Sequence, residues 1–311
     1  MNARTKLTGT AAYAIFAASL LISGSNGIVA NGVELTSSQI VMFRMLLGAG
    51  FLAVAFFAMR RKLTVHRNKR ELAYLIAGGA AMSCELLFLY EAYKTAGVGM
   101  STILCYMAPI AVMVLSPILF HTRLTMAKGA SFAIVVAGSL LINMTALGNG
   151  IAPQGILYGL GAAAGMASMV ILNKKVTSTP GLERALIQMI SSAAVCVIFI
   201  ALTEGLSATF VAATAAGAWP SITVIGLLGG ISNLLYFSAI GKLPVQSVAV
   251  LGYLEPLSAV LMSVLVLGEH LAVLQAIGAM LIIGGAVFAE IPRKKHTVAK
   301  APLPLHHRRA A

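Results

Sequence analysis

Aspartate is absent from this chain of 311 residues, so its 9 acidic residues are all glutamates. The absence excludes aspartate-rich diphosphate sites, aspartyl intramembrane proteases and Walker-type ATPases, which hold their metal with an aspartate. The 6 histidines lie at the ends of apolar runs, in connections or in the C-terminal segment, so no metal cluster is visible inside the runs. The chain also lacks the Gly-x-Ser-x-Gly turn of serine hydrolases. We therefore expect neither an enzyme nor a bound metal or cofactor.

Cysteine is scarce as well. The chain has 3 cysteines, and Cys84, Cys105 and Cys196 all fall within apolar runs. An odd number of cysteines scattered at that depth does not make a disulfide framework. We interpret them as small packing residues.

Charge is also scarce, because only 10% of the residues are charged whereas 59% are hydrophobic. A soluble domain would carry about 25% charged residues. A bilayer core needs about 20 apolar residues per helix, and the chain has ten runs of that kind. We therefore predict an all-α integral membrane protein with ten transmembrane helices, roughly over 8–30, 37–59, 72–93, 99–120, 125–146, 153–174, 182–203, 218–240, 244–267 and 271–291.

The positive charges predict the orientation. Of the 22 lysines and arginines, all except Arg44 and Lys94 fall on one side of the ten runs if the N-terminus is cytoplasmic. This is a strong positive-inside signal, and it explains the net charge of +13 without a nucleic-acid partner. We expect a multi-pass protein of the cytoplasmic membrane with both termini in the cytoplasm. The segment 292–311 is basic and contains proline, and we interpret it as a disordered tail.

The two halves of the chain resemble each other. When 106–124 is placed over 253–271, Tyr106 meets Tyr253 and Pro109 meets Pro256. Further along the same alignment Gly138 meets Gly285. The pattern indicates two five-helix repeats, over 8–146 and 153–291. Because five is odd, the second repeat enters the membrane from the opposite side, and inverted repeats of this kind are typical of transporters.

These stretches carry a resemblance to a known family. The segment YLEPLSAVLMSVLVLGEHL (253–271), its partner YMAPIAVMVLSPILFHTRL (106–124) and Arg44 in QIVMFRMLLGAG resemble the ten-helix drug/metabolite transporter superfamily with two EamA-type domains. The first copy departs from the family pattern where the second has Leu267-Gly268-Glu269. The stretch SCELLFLYEAYKTAGVGM (83–100) is similar to aromatic amino-acid exporters of this group. The resemblance implies secondary transport, with export favoured.

Four charged residues within the predicted helices are candidates for a functional role, namely Arg44, Glu85, Glu91 and Glu255. A charge at the centre of a membrane helix costs about 2.5–3.5 kcal/mol on insertion scales. Glu255 is followed by Pro256, which removes a backbone donor and bends a helix. Polar backbone at that depth is tolerated where it is buried in protein or lines a cavity. We predict a broken helix facing a polar cavity, the alternative being that Glu255 locks two helices together.

The other three charged positions leave alternatives open. Glu85 is either a substrate or coupling group or a hydrogen-bonded structural carboxyl. Glu91 and Lys94 have the spacing of a local ion pair. Arg44 either reaches the membrane surface, pairs with Glu85 or Glu91, or binds a substrate carboxylate, for which its planar fork is suited.

Several uncharged residues complete the candidate site. Tyr106 and Tyr253 each stand three residues before a helix-bending proline, Pro109 or Pro256, and are candidates to line the cavity. We interpret the intramembrane amides, Asn26, Asn173 and Asn233, as interhelical hydrogen bonds. The residue of the second half that matches Arg44 is the uncharged Gln188.

The sequence as a whole predicts a secondary transporter for a small polar or amphipathic metabolite. Glu85 or Glu255 is placed to carry a coupling proton. The alternative is a flippase for a lipid or a lipid-linked precursor. In either case the partners are a small-molecule substrate and the lipid bilayer.

Overall fold

The computed structural model describes residues 9–30, 33–65, 68–121, 125–144, 153–267 and 273–290. All regular secondary structure in these ranges is helical. The helices are α1 (Gly9–Ala30), α2 (Ser37–Ala58), α3 (Lys69–Cys105), α4 (Met107–Phe120), α5 (Met126–Met144), α6 (Pro153–Lys174), α7 (Gly181–Thr203), α8 (Leu206–Ala215), α9 (Trp219–Ala239), α10 (Val245–Leu251), α11 (Leu254–Leu267) and α12 (Val273–Glu290).

Five helices are long and apolar enough to cross a membrane, namely Ser37–Ala58, Lys69–Ala92, Pro153–Lys174, Gly181–Thr203 and Trp219–Ala239. Shorter apolar helices accompany them. Large apolar side chains point outward from several helices, including Val54, Leu157 and Leu265, each at least 70% exposed. An outer surface this apolar suits lipid rather than water. Helical membrane segments satisfy their own backbone polar groups, which is why such a chain folds as a helix bundle.

The predicted third and fourth runs are joined in the structure, because α3 continues to Cys105. The helix is nevertheless not straight between Phe88 and Leu104. Phe88 packs against Gly161 and Leu104 packs against Gly159 of α6, although a straight helix would separate Phe88 from Leu104 by about 24 Å. No helix ends between the two runs, and the break at Tyr106, between α3 and α4, falls inside the predicted run 99–120 and three residues before Pro109. The helix α8 was not predicted, because its ten residues are too few for a membrane span.

Glycines allow the closest contacts between helices. A side chain at Gly165 of α6 would place its Cβ 2.8 Å from the backbone nitrogen of Glu85 and 2.9 Å from the carbonyl oxygen of Ala81. A side chain at Gly226 of α9 would meet Leu47 of α2. Small residues at helix interfaces let backbones approach in this way, and here they hold α3 against α6 and α2 against α9.

Buried glutamates tie the helices together at one end of the bundle. Glu71, in the first turn of α3, accepts hydrogen bonds from the backbone and hydroxyl groups of Thr177, Ser178 and Thr179, which precede α7. Glu183, in the first turn of α7, accepts from Thr64 and Val65, which precede α3. The two carboxylates therefore bind each other's neighbouring loops and join the two halves of the chain.

A third glutamate makes a similar tie at the opposite end. Glu204, just after α7, accepts hydrogen bonds from Thr36, Ser38 and Gln39 at the start of α2. Thr36 and Gln39 also form a capping box, in which each side chain bonds the other's backbone. The helix α7 is thus held at both ends against the first half of the chain.

Some predicted features lie outside the described residues. They are the basic tail 292–311, Gly268 and Glu269 of the Leu267-Gly268-Glu269 motif, and the side chain of Asn26.

Candidate functional site

A central cavity of about 110 Å³ lies where both halves of the chain meet. Its walls come from α1, α2, α3, α4, α6, α9, α10 and α11, and most of the lining side chains are apolar. The polar and charged side chains that face it are Ser19, Ser23, Arg44, Glu85, Ser232, Asn233, Tyr236 and Glu255. The cavity therefore combines an apolar wall with a few convergent polar groups, which is the usual composition of a small-molecule site.

The break in the helix that carries Glu255 is confirmed. The helix α10 ends at Leu251 and α11 begins at Leu254, so the interruption falls at Gly252 and Tyr253, just ahead of Pro256. The carbonyl oxygen of Gly252 accepts from the backbone nitrogen of Glu255 at 3.2 Å. Glu255 consequently sits in the first turn of α11, where the helix dipole favours a negative charge.

Glu255 has one hydrogen-bonding partner in α1. The hydroxyl of Ser23 donates to Oε1 of Glu255 over 2.6 Å, within the range of a hydroxyl bonded to a carboxylate. This bond links α1 to α11, and it is the kind of contact that the structural-lock alternative requires. Glu255 lines the cavity as well, so its carboxyl group has both a structural contact and access to the cavity.

Arg44 reaches the cavity across a glycine of α9. A Cβ at Gly229 would lie 3.0 Å from Nε and 3.1 Å from Cγ of Arg44, so a larger residue there would collide with the arginine. The buried Nε has no hydrogen-bond partner among the described residues. Within the same part of the chain Arg44 forms no ion pair with Glu85 or Glu91. The described part of the structure therefore does not have the predicted ion pair, and Nε of the guanidinium keeps a free donor.

Glu85 is brought to the cavity by the close contact of α3 with Gly165 of α6. Arg44, Glu85 and Glu255 are near enough for their charges to act on one another. Three ionisable groups from α2, α3 and α11, far apart in sequence, thus share one cavity.

The remaining predicted residues divide between the cavity wall and the layer behind it. Pro109 lines the cavity, whereas Tyr106, Tyr253 and Pro256 do not. Tyr253 is 1% exposed, and its hydroxyl donates to the carbonyl oxygen of Tyr106 over 2.8 Å. The rings of the two tyrosines lie 5.7 Å apart. The two tyrosines therefore link the two helix breaks to each other. They lie behind the cavity wall, so they do not face a substrate in the cavity.

The local pair of Glu91 and Lys94 is confirmed, with Nζ and Oε1 2.7 Å apart. The interpretation of Asn173 and Asn233 as donors of hydrogen bonds between helices is wrong. The side-chain nitrogen of Asn173 donates to the carbonyl of Met169, and that of Asn233 donates to Gly229, so each bonds its own helix. Asn233 is left on the cavity wall.

Sequence reasoning missed Ser23 as a member of the site. It lies in an apolar run in which serine is common, and nothing in its spacing relates it to Glu255, 232 residues later. Tyr236 also lines the cavity, with its ring 5.0 Å from that of Phe16. Among the described residues no group of three histidine, cysteine or glutamate side chains is placed to hold a metal ion.

A bundle of apolar helices around a central cavity with opposite charges in its wall is the architecture of a membrane transporter. The comparisons agree. The sequence matches the EamA-like transporter family over residues 10–144 and 153–290. The chain therefore belongs to the EamA-like transporter family, within the drug/metabolite transporter superfamily.

Relatives and solved structures are consistent with this membership. The chain is 22% identical over 281 residues to the "Uncharacterized transporter YxxF" of Bacillus subtilis (strain 168), covering 89% of this chain and 88% of that one. It is 26% identical over 264 residues to the "Uncharacterized transporter YwfM" of the same organism, covering 83% and 86%. A crystal structure at 19% identity superposes with a TM-score of 0.75 over 90% of this chain and 98% of the other, which shows a shared fold.

Proposed function

We propose that the chain is a secondary transporter that moves a small polar or amphipathic metabolite, an amino acid or a related compound, through the central cavity by alternating access. The observation that carries this proposal is the meeting of Arg44, Glu85 and Glu255 in one cavity. An amino acid bears a carboxylate and an ammonium group. A guanidinium suits the first, and a carboxylate suits the second.

The proposed arrangement is ten spans in two inverted five-helix repeats, over 8–146 and 153–291, with both termini cytoplasmic. The breaks at Tyr106 and at Tyr253 support the repeat, because they fall at matched positions of the two halves. The distribution of lysine and arginine supports the orientation. The resemblance to amino-acid exporters in 83–100 favours export over uptake.

The charge balance of the cavity supports coupling to a proton. Two carboxyl groups face one guanidinium, so the fully ionised cavity has a formal charge of about −1. A buried unpaired charge is costly. The cavity is neutral when one of the two carboxyl groups carries a proton, and movement of that proton during the transport cycle would couple transport to the proton gradient.

The test uses the purified chain in proteoliposomes loaded with an equimolar mixture of the twenty standard amino acids. Efflux of each is measured by mass spectrometry, with and without a pH gradient. We expect a subset of amino acids to leave, and their decarboxylated amines to leave at least tenfold more slowly. Arg44→Lys keeps the positive charge and removes the planar guanidinium, which can give two parallel hydrogen bonds to a carboxylate. This variant is therefore expected to reduce efflux of the same subset.

The flippase alternative is measured on the same vesicles with a fluorescent phospholipid and a membrane-impermeant quencher. Lipid movement without amino-acid efflux would overturn the proposal in favour of the alternative. Efflux of amines as fast as of amino acids would overturn the assignment of Arg44 to the carboxylate.

A further inference from the structure

A second group of buried polar side chains lies outside the central cavity, between α3, α6 and α7. Its members are Asn173, Arg184 and Gln188, of which Asn173 and Gln188 are fully buried and Arg184 is 5% exposed. A Cβ at Gly78 of α3 would lie 2.7 Å from Nε2 of Gln188 and 3.5 Å from Nδ2 of Asn173. Arg184 stands one turn before Gln188, on the same face of α7. We name these three residues the inner polar cluster.

The inner polar cluster has more hydrogen-bonding groups than the protein satisfies. Oδ1 of Asn173, both side-chain atoms of Gln188, and Nε and Nη1 of Arg184 have no partner among the described residues. A buried donor or acceptor without a partner costs about 1–3 kcal/mol, and native structures contain few of them. Nη2 of Arg184, by contrast, donates to the carbonyl oxygens of Val176 and Thr179. Five unsatisfied atoms on neighbouring turns of α6 and α7 indicate a ligand or ordered water.

The same face of α7 provides an internal comparison. One turn beyond Gln188, the hydroxyl of Ser192 lies 2.6 Å from that of Ser83 in α3. A further turn on, the thiol of Cys196 donates to Ser83 over 3.4 Å. The polar stripe on α7 is therefore satisfied by α3 near the middle of the bundle and unsatisfied only toward the end where α7 begins.

The chemistry of the free atoms restricts the ligand. Gln188 offers a donor and an acceptor, Arg184 offers donors and Asn173 offers an acceptor. A simple anion would satisfy only the donors, and a metal cation would satisfy only the acceptors. Water, or a ligand with both kinds of group such as a zwitterion, satisfies the whole cluster.

The cluster is continuous with the central cavity along α6. Met166, Met169 and Val170 line the cavity, and Asn173 follows them at the spacing that keeps side chains on one helix face. In the proposed orientation the C-terminal end of α6 is cytoplasmic. The cluster then lies one turn below the cavity on its cytoplasmic side.

We propose that the inner polar cluster is a hydrated subsite on the cytoplasmic part of the transport path, which receives the polar groups of the substrate as it passes between the cytoplasm and the central cavity. The assignment of the cluster to the cytoplasmic part of the transport path rests on the proposed function, whereas the hydration of the cluster does not depend on transport. Glycine at position 78 lets the amide of Gln188 lie against the backbone of α3, because a methyl group there would meet Gln188.

The first experiment measures access. Asn173→Cys is made in a chain whose three native cysteines are replaced by serine, and a membrane-impermeant methanethiosulfonate reagent is added to vesicles of either orientation. We expect labelling from the cytoplasmic side. Ala167→Cys, which is equally buried on α6 but does not line the cavity, is the control and should stay unlabelled. Absence of labelling at Asn173→Cys from both sides would overturn the proposal.

The second experiment does not require the cysteine variant to fold. Gln188→Leu removes both free atoms of a side chain of similar size. If the cluster were dry, this substitution would raise the melting temperature and leave amino-acid efflux unchanged, and that result would overturn the proposal. We expect no rise in melting temperature and an efflux reduced at least tenfold. If wild-type vesicles export no amino acid, the labelling and melting results still decide whether the subsite is hydrated, and the proposed function fails separately.

Discussion

Replacement of Glu255 by glutamine should abolish most of the transport while leaving the protein folded. The structure allows the loss of folding stability to be separated into two contributions. Glutamine can still accept the hydrogen bond that Ser23 donates over 2.6 Å. A bond to a charged group contributes about 1.5–3 kcal/mol and a neutral one about 0.5–1.5 kcal/mol, so the exchange costs about 1 kcal/mol. Loss of the charge from the first turn of α11 adds about 0.3–1 kcal/mol.

These two contributions amount to about 1–2 kcal/mol, and the neutral amide offsets part of them because it removes the cost of burying a charge. The net loss of stability is therefore at most about 2 kcal/mol, which corresponds to a decrease of no more than a few degrees in melting temperature. The transport cycle is affected more severely. A neutral amide cannot exchange a proton or balance an ammonium group, so we expect efflux to fall at least tenfold and its dependence on pH to disappear.

The assay is efflux from proteoliposomes between pH 5.5 and 8.5, with melting temperatures recorded on the same preparations. Ser23→Ala is the matched control, because it removes the hydrogen bond to Glu255 and retains the carboxyl group. It should lower the melting temperature by an amount comparable with Glu255→Gln and retain a pH-dependent flux. Wild-type flux with a wild-type pH profile in Glu255→Gln would refute the role of Glu255 in the cavity. A large decrease in melting temperature that accounts for the lost flux would return it to a structural lock.

Three further predictions concern stability and the tail. Glu71→Ala should lower the melting temperature by several degrees, because Thr179 is buried and its backbone nitrogen loses an acceptor 3.1 Å away; the exposed Glu34→Ala should change it little, and equal effects would contradict the argument. Gly165→Leu should prevent stable insertion, since its side chain would meet the backbone of α3. Gly50→Ala, whose added Cβ would meet nothing within 4 Å, should be tolerated, and a normal yield of Gly165→Leu would show that α3 and α6 separate easily. A chain that ends at Arg293 should transport normally in vesicles, because the segment beyond it is polar and basic; loss of flux with normal insertion would assign the tail a function.

Much of the fold could be predicted because the determining features are local. A run of apolar residues of sufficient length forms a membrane helix whatever surrounds it, and the helices end close to the predicted bounds in most of the described chain. Pro256 removes a backbone donor from its own helix, so the break at Gly252 and Tyr253 was visible in the sequence. The ion pair of Glu91 and Lys94 is likewise a contact within a single turn.

The shared cavity was decided by the tertiary structure. Charge within an apolar run marked Arg44, Glu85 and Glu255 as unusual, but each lies on a different helix and their mutual arrangement depends on how the helices pack. The sequence alone also suggested that Arg44 pairs with a glutamate, whereas packing against Gly229 directs the arginine to the cavity without such a pair.

The physical reason is that a membrane helix does not show in its sequence which face is buried. A soluble helix has a polar and an apolar face, whereas here both the lipid-facing and the interior residues are apolar. Val41 is fully buried and Val54 on the same helix is 70% exposed, yet they are chemically the same. Sequence alone therefore determined the helices, their breaks and the residues that are costly in a membrane. Only the packing of small residues at the helix interfaces decided that Ser23 meets Glu255 and that Asn173 and Gln188 both lie near Gly78, because those positions depend on the rotation of each helix about its own axis.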